Sequence, residues 1–130
     1  MSSELALVLW SLVLFQTKHF FCDFILQNAY QYRNKGTYGH PGGFIHAGLH
    51  SIGSLPAVLL LTRAVPLIAG LFVVEFVLHY HIDWTKEGIR KLRQLDQTDA
   101  MYWVVFGADQ FLHQLTYVAF LAVLAGAAGL

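Results

Sequence analysis

Four pairs of potential metal ligands stand four residues apart along this chain: His19 and Asp23, His46 and His50, His79 and Asp83, Asp109 and His113. On a helix that spacing brings both members of a pair onto one face, one turn apart. The same geometry lets two histidines of a helical metalloprotease motif grip one zinc ion, so the spacing has a mechanical meaning. Five imidazoles and three carboxylates supply eight nitrogen and oxygen donors. Such a set suits two four-coordinate divalent ions, or two ions sharing a bridging carboxylate with positions open for water. Donors without thiolate favour zinc, manganese or iron over copper(I), with zinc foremost among the cofactors expected.

A single pair of this kind serves equally well as hydrogen-bonding glue between helices. Four pairs, one in each of four apolar stretches, need a stronger explanation. An Asp at the centre of a membrane-spanning helix costs roughly 2.5 to 3.5 kcal/mol on insertion scales, so eight ionisable groups call for a shared compensation. Metal ions supply it.

Several other residues are read beside these. Glu75 lies one turn before His79 on the same face. With Asp109 it is a candidate catalytic carboxylate, as general base or further ligand, the preferred reading being a group that orients the ligands. Gln27 and Gln110 are candidate orienting groups of the same kind. Cys22 shares the face of His19 and Asp23, yet a lone buried cysteine usually behaves as a small hydrophobe. As the single cysteine it excludes an internal disulfide. His40, before Pro41, and His81, which points away from His79 and Asp83, are read as bystanders. Lys18 is expected to snorkel to the membrane interface, or else to stand beside the site. Lys86 and Lys35 are candidate substrate-binding cations, placed to meet an anionic head group at the mouth of the site. Trp84, Tyr102 and Trp103 read as interface anchors.

The elements that must position these groups are apolar helices. Hydrophobic residues make up 56 % of the chain and charged residues 12 %, a balance that points to lipid rather than to a soluble domain. A spanning helix needs about 20 apolar residues. The sequence divides into four such segments, at about 4–26, 43–62, 65–83 and 101–128, forming one all-α domain over residues 1–130. Between the first two lies a polar loop with the breakers Gly36, Gly39, Pro41 and Gly42. Pro56 falls inside the second segment as an expected kink. Between the third and fourth, Trp84 to Asp99 sets Ile89, Leu92 and Leu95 among Lys86, Arg90, Lys91 and Arg93, which reads as a short amphipathic helix at the interface. The start of the chain lacks a basic region and a small-residue cleavage site, so it is read as the first span and not as a removable signal. No basic block alternates with aromatics, and nucleic acid is not expected as a partner. The lipid bilayer is.

An up-down order of four spans places all four ligand pairs at one end of the bundle. The pairs close the first and third segments and open the second and fourth. Basic residues in the loops give the orientation: Arg33 and Lys35 in the first and Lys86, Arg90, Lys91 and Arg93 in the third, against Arg63 alone in the second. The positive-inside rule puts the first and third loops in the cytoplasm and both termini outside.

The ordered set His19-Phe20-Phe21-Cys22-Asp23-Phe24 with Gln27, His46 with His50, His79 with Ile82-Asp83 and Lys86, and Asp109-Gln110 with His113 resembles the bacterial inner-membrane proteins of domain-of-unknown-function family 3307. The resemblance covers nearly the full length. The chain is also similar to a wider group of small inner-membrane proteins predicted to be metal-dependent hydrolases, some under DNA-damage control. That resemblance implies a plasma-membrane location and a hydrolytic activity.

Together these readings lead to a membrane-embedded, metal-dependent hydrolase with a binuclear His/Asp site, acting on a phospholipid or phosphodiester at the cytoplasmic leaflet. Its rivals are a di-metal or haem redox protein, a metal transporter or sensor, and an accessory subunit with a partner in a larger membrane complex. The topology is testable by single-cysteine labelling at Ser2 and Gln94 in intact cells. A reagent confined to the outer side should modify Ser2→Cys and spare Gln94→Cys, and the reverse pattern would invert the orientation.

Overall fold

The computed structural model describes residues 2–129. Its elements are α1 (Ser3–Phe20), a π-helical turn (Phe21–Ile25), α2 (Ala29–Asn34), α3 (Pro41–Leu61), α4 (Val65–Leu92) and α5 (Ala100–Ala128). Four of the helices, counting α1 with its π turn, are long and apolar enough to cross a membrane. They form an all-α four-helix bundle in which α1 packs on α3, α3 on α4, α4 on α5 and α5 back on α1. The order is the expected up-down one, with α3 and α4 joined by residues 62–64, α4 and α5 by residues 93–99, and the first two spans by a longer link that holds α2.

Local chemistry sets the helix ends. The Ser2 side chain accepts the Leu5 N–H at 3.2 Å, and Asn28 accepts that of Gln31 at 3.1 Å. His40 is the N-cap of α3, taking the Gly42 N–H on Nδ1 at 3.0 Å, and Pro41 follows where its missing N–H costs nothing. So His40 has a structural task. At the far end of α5, Gly129 closes the helix with φ 75°, a conformation that glycine adopts without penalty.

The half of the bundle away from the ligand pairs is a hydrophobic core of Phe15, Ala57, Val58, Leu71, Tyr117, Phe120, Leu121 and Leu124. Phe15 stacks on Tyr117 at 5.1 Å between ring centroids and meets Phe120 edge-on at 6.3 Å. Along α3 the buried Ala47, Ser51, Ser54 and Ala57 form a seam of small residues that lets α1 and α4 approach closely. Ser11 donates across that seam to the Ala57 carbonyl at 3.0 Å. The outer surface carries Trp10, Ile52, Val73, Phe111 and Val118 in exposed positions, the pattern of helices that face lipid.

Three expectations need correction. The stretch after Asp83 is helical, but it is no separate amphipathic helix: α4 runs without a break from Val65 to Leu92. The end of apolar sequence does not end a helix, because the backbone hydrogen bonds continue and no proline intervenes. The first loop also holds α2, packed on α3, where only irregular chain was expected. Finally, Lys18 does not snorkel to an interface. It is buried, 8 % exposed, with its ammonium turned into the bundle against Glu75.

The loop after α2 is tied closely to the polar end of α4. A Cβ placed on Gly36 would lie 2.5 Å from the Glu87 Cβ, so only glycine allows this approach. Gly36→Ala should therefore lower stability by about 1 to 3 kcal/mol through overpacking. Thermal unfolding in detergent would measure the effect against Gly70→Ala as control, since a Cβ there meets nothing within 4 Å. Equal unfolding midpoints for the two variants would show that the loop yields freely.

Candidate metal centre

The four ligand pairs meet at one end of the bundle. His19 comes from the last turn of α1, Asp23 from the π turn, His46 and His50 from α3, His79 and Asp83 from α4, and Asp109 and His113 from α5. The π turn enters here with a purpose. Its widened hydrogen bond, Leu26 N–H to the Phe21 carbonyl at 2.8 Å, re-phases the residues from Asp23 onward relative to α1.

Asp23 and Asp83 organise the cluster. Asp23 Oδ1 lies 3.1 Å from His50 Nε2 and 3.2 Å from His46 Nε2, while its Oδ2 lies 3.1 Å from His19 Nε2. Asp83 Oδ2 lies 3.1 Å from His46 Nε2 and 3.5 Å from His79 Nε2, and its Oδ1 lies 3.9 Å from His113 Nε2. Asp109 Oδ1 stands 3.6 Å from His113 Nε2. The imidazoles crowd one another as well, with ring centroids 3.6 Å apart for His50 and His79 and 4.1 Å for His79 and His113.

Two groups have donor atoms close enough to hold a metal ion: Asp23, His46, His50 and His79, and then His79, Asp83 and His113. His19 and Asp109 border these groups without joining either. Burial and orphaned atoms show how well the donors fit an ion. His46 Nε2, His79 Nε2, His113 Nε2, Asp83 Oδ2 and Asp109 Oδ1 are all buried and make no well-formed hydrogen bond, although nitrogens and oxygens stand near each other. Buried polar atoms are almost always paired, and leaving one unpaired costs about 1 to 3 kcal/mol. A cluster of unpaired lone pairs aimed at shared points is the arrangement a cation relieves. Charge argues the same way, since three carboxylates here face Lys35, 3.2 Å from Asp83, and Lys86, 4.0 Å from it.

A family model described as "Protein of unknown function (DUF3307)" matches residues 11–128. The chain belongs to this family. The match takes in every ligand of the cluster and nearly all of the four long helices. No curated protein and no solved structure matches the chain.

Around the cluster, the polar neighbours fix ring orientations. His19 Nδ1 meets the Tyr117 hydroxyl at 2.9 Å. Gln110 offers its carbonyl to His19 Nε2 at 3.1 Å and donates its amide to Asp23 Oδ2 at 3.3 Å and Asp109 Oδ2 at 3.2 Å. Gln27 instead donates to the Asp23 backbone carbonyl at 2.7 Å. Glu75 is paired with Lys18, whose ammonium also donates to the His50 carbonyl at 3.2 Å and lies 3.4 Å from His50 Nδ1. Glu75 thus reaches the cluster only through Lys18 and His50. Cys22 is buried and lies outside both groups, and His81 is exposed against the Val77 carbonyl.

Tyr117 is what sequence reasoning missed, while Lys18 takes the second of its two expected places, beside the site. Tyr117 stands one turn after His113 on the same face, so the spacing that revealed the ligands also held this signal. Lys35 and Lys86 sit deeper than a mouth position implies: Lys35 is 4 % exposed, and Lys86 lies 3.1 Å from Glu87.

His79 is common to both groups. With one free lone pair it can complete only one of them, so loss of His79 should lower bound metal at the ion it serves, as loss of His113 should at the second group. Elemental analysis of purified wild type, His79→Ala and His113→Ala would measure this. Wild-type metal content in His79→Ala would rule out the shared site.

Proposed function

We propose that the protein is an integral membrane, metal-dependent hydrolase that acts on a phosphate ester at the cytoplasmic leaflet. The observation that carries this reading is the meeting of unpaired donors with a cavity. Beside the cluster a cavity of about 230 Å³ is lined by Asp23 and Asp109 at its floor and by Lys35, Lys86 and Arg90 among its walls. Asp23 and Asp109 thus join the donor cluster to a space with room for a ligand and cations for an anion.

The residues would hold two divalent ions, zinc first and manganese or iron as alternatives, with Asp23 in one donor group and Asp83 in the other. A neutral imidazole has one free lone pair, so His79 would serve only one of the two ions. Divalent ions in such a site supply Lewis acidity, activating a water for attack and neutralising charge that develops on a phosphoryl group. The chain's own groups do the rest. Lys86 and Lys35 attract the anion, Gln110 holds Asp23 and Asp109 in place, and Asp109 faces the cavity where a water proton would be received. Glu75, paired with Lys18 and outside the cavity lining, is assigned an orienting role through His50.

The proposed location is the bacterial inner membrane. Four apolar helices support multi-pass insertion, and the basic first and third loops favour a cytoplasmic site with both termini periplasmic. Among the rivals, a carboxylate-bridged redox centre has the same ligand types in its favour. Bis-histidine haem does not, since the stacked rings of His50 and His79, 3.6 Å apart, leave no gap for a macrocycle. A transporter would need an exit at both faces, whereas the cluster lies at one end. An accessory role in a larger membrane complex would leave the cavity and its cations without a task.

Soluble phosphodiesters and phospholipids offered in nanodiscs, with metal-free protein as control, test the reading. Turnover should rise with pH as the activated water ionises, near neutrality for about pKa 7. Asp109→Asn should abolish turnover, by at least about a hundredfold, whereas Lys86→Ala should chiefly raise KM. No metal-dependent release from any substrate would reject hydrolysis, and a redox-active optical spectrum would favour the oxidoreductase.

A further inference from the structure

The polar cavity has an apolar continuation. A second cleft of about 140 Å³ lies between α4 and α5, walled by Ile82, Thr85 and Ile89 on one side and Val104, Ala108 and Leu112 on the other. It shares Lys86, Val105 and Asp109 with the polar cavity, so the two meet at the site itself. On α5, Val104, Ala108 and Leu112 follow one another at single-turn spacing, and the small Ala108 between two larger neighbours hollows the middle of the cleft. From Val104 to Leu112 the cleft follows α5 for about 12 Å. Its rim is open on the outside of the bundle: Val104 is 60 % and Leu112 47 % exposed, on a face that lipid would cover.

Charge defines the other end. Lys35, Lys86 and Arg90 among the cavity walls are matched by Asp23, Glu87 and Asp109, a balance of zero that a bound divalent ion turns positive. The cavity then favours an anion, while the cleft leading from it favours hydrocarbon.

We propose that this chain binds a lipid phosphate, with the phosphate in the polar cavity and the hydrocarbon chain in the cleft between α4 and α5. The phosphate end of this inference rests on the hydrolase reading above, and the chain end rests on the cleft alone. The lipid enters sideways from the bilayer. A water-soluble phosphate ester fills only half of the site, and a neutral lipid only the other half. Ala108 sets the depth available to the chain, which makes it a specificity-determining position that is not itself a metal donor.

The test measures retention apart from turnover. Delipidated, metal-loaded protein in detergent is mixed with a phosphonate analogue of phosphatidic acid, which cannot be hydrolysed at the phosphorus, and bound lipid is counted by native mass spectrometry. Diacylglycerol, glycerol phosphate and inorganic phosphate are the comparison ligands. The phosphonate lipid should be held at least tenfold more tightly than diacylglycerol or either soluble phosphate, and Ala108→Phe should abolish that advantage without altering the weak binding of glycerol phosphate. A version of the lipid carrying a photoreactive diazirine on its chain should crosslink to Ile89, Val104 or Leu112 in the wild type, a readout independent of whether Ala108→Phe folds. Crosslinks confined to other faces, or an advantage of the phosphonate lipid unchanged in a folded Ala108→Phe, would overturn the proposal. Retention with the expected crosslinks but no turnover of any ester would reject the hydrolase reading and leave the lipid site standing. Turnover of soluble esters without lipid retention would do the opposite.

Discussion

The cost of placing charge among apolar helices governs this molecule. Asp83, Asp109 and five imidazoles are buried, and Asp23 half-buried, in a bundle whose outside is apolar, where water solvates them poorly. Each needs a partner within the protein or an ion. Lys35 and Lys86 answer part of that need at Asp83, and Lys18 neutralises Glu75 one turn away. His46 Nε2, His79 Nε2, His113 Nε2 and Asp83 Oδ2 stay unpaired within or beside the two donor groups. Removing one partner of such a set leaves an uncompensated charge, which is more damaging than the loss of the contact itself.

The bundle divides accordingly into two halves. Away from the cluster, Phe15, Tyr117, Phe120 and Leu124 fill the space between helices and hold them at fixed distance. Lipid tails compete with side chains for apolar contact, so close packing must do this, and the small residues along α3 permit it. Tyr117 belongs to both halves, stacking on Phe15 with its ring and meeting His19 with its hydroxyl. The rigidity of the core is transmitted to the ligands through that residue. At the other end, the segment after α2 and the polar extension of α4 cover the cluster, with Lys35 and Glu87 buried between them. A site made on four helices and covered by a short loop is well suited to exclude water while keeping one opening.

That opening gives the functional reading its direction. The cavity beside Asp23 and Asp109 carries three cations matched by three carboxylates and meets an apolar cleft that faces outward. On the proposed function, a ligand that satisfies both parts would be amphiphilic and anionic. The location of the donors at one end of the bundle fits chemistry at a membrane surface better than passage across it.

Much of this was legible in the chain itself. The ligand pairs were visible because a four-residue spacing on a helix depends only on helical pitch, and the four spans because insertion depends on the length and polarity of a stretch. Even the gathering of the pairs at one end followed, since an up-down order needs nothing more than short loops. What the sequence could not tell was which donors share an ion, because that depends on helix rotation and on the π turn at Phe21–Ile25, which re-phases Asp23. Nor could it reveal that α4 continues past Asp83, since apolar pattern marks the membrane and not the end of backbone hydrogen bonding. The inward turn of Lys18 was likewise settled by Glu75 on another helix. Local periodicity thus determined the elements and the donor inventory, whereas the pairing of charges, the orphaned lone pairs and the shape of the cavity were decided by contacts between helices far apart in sequence.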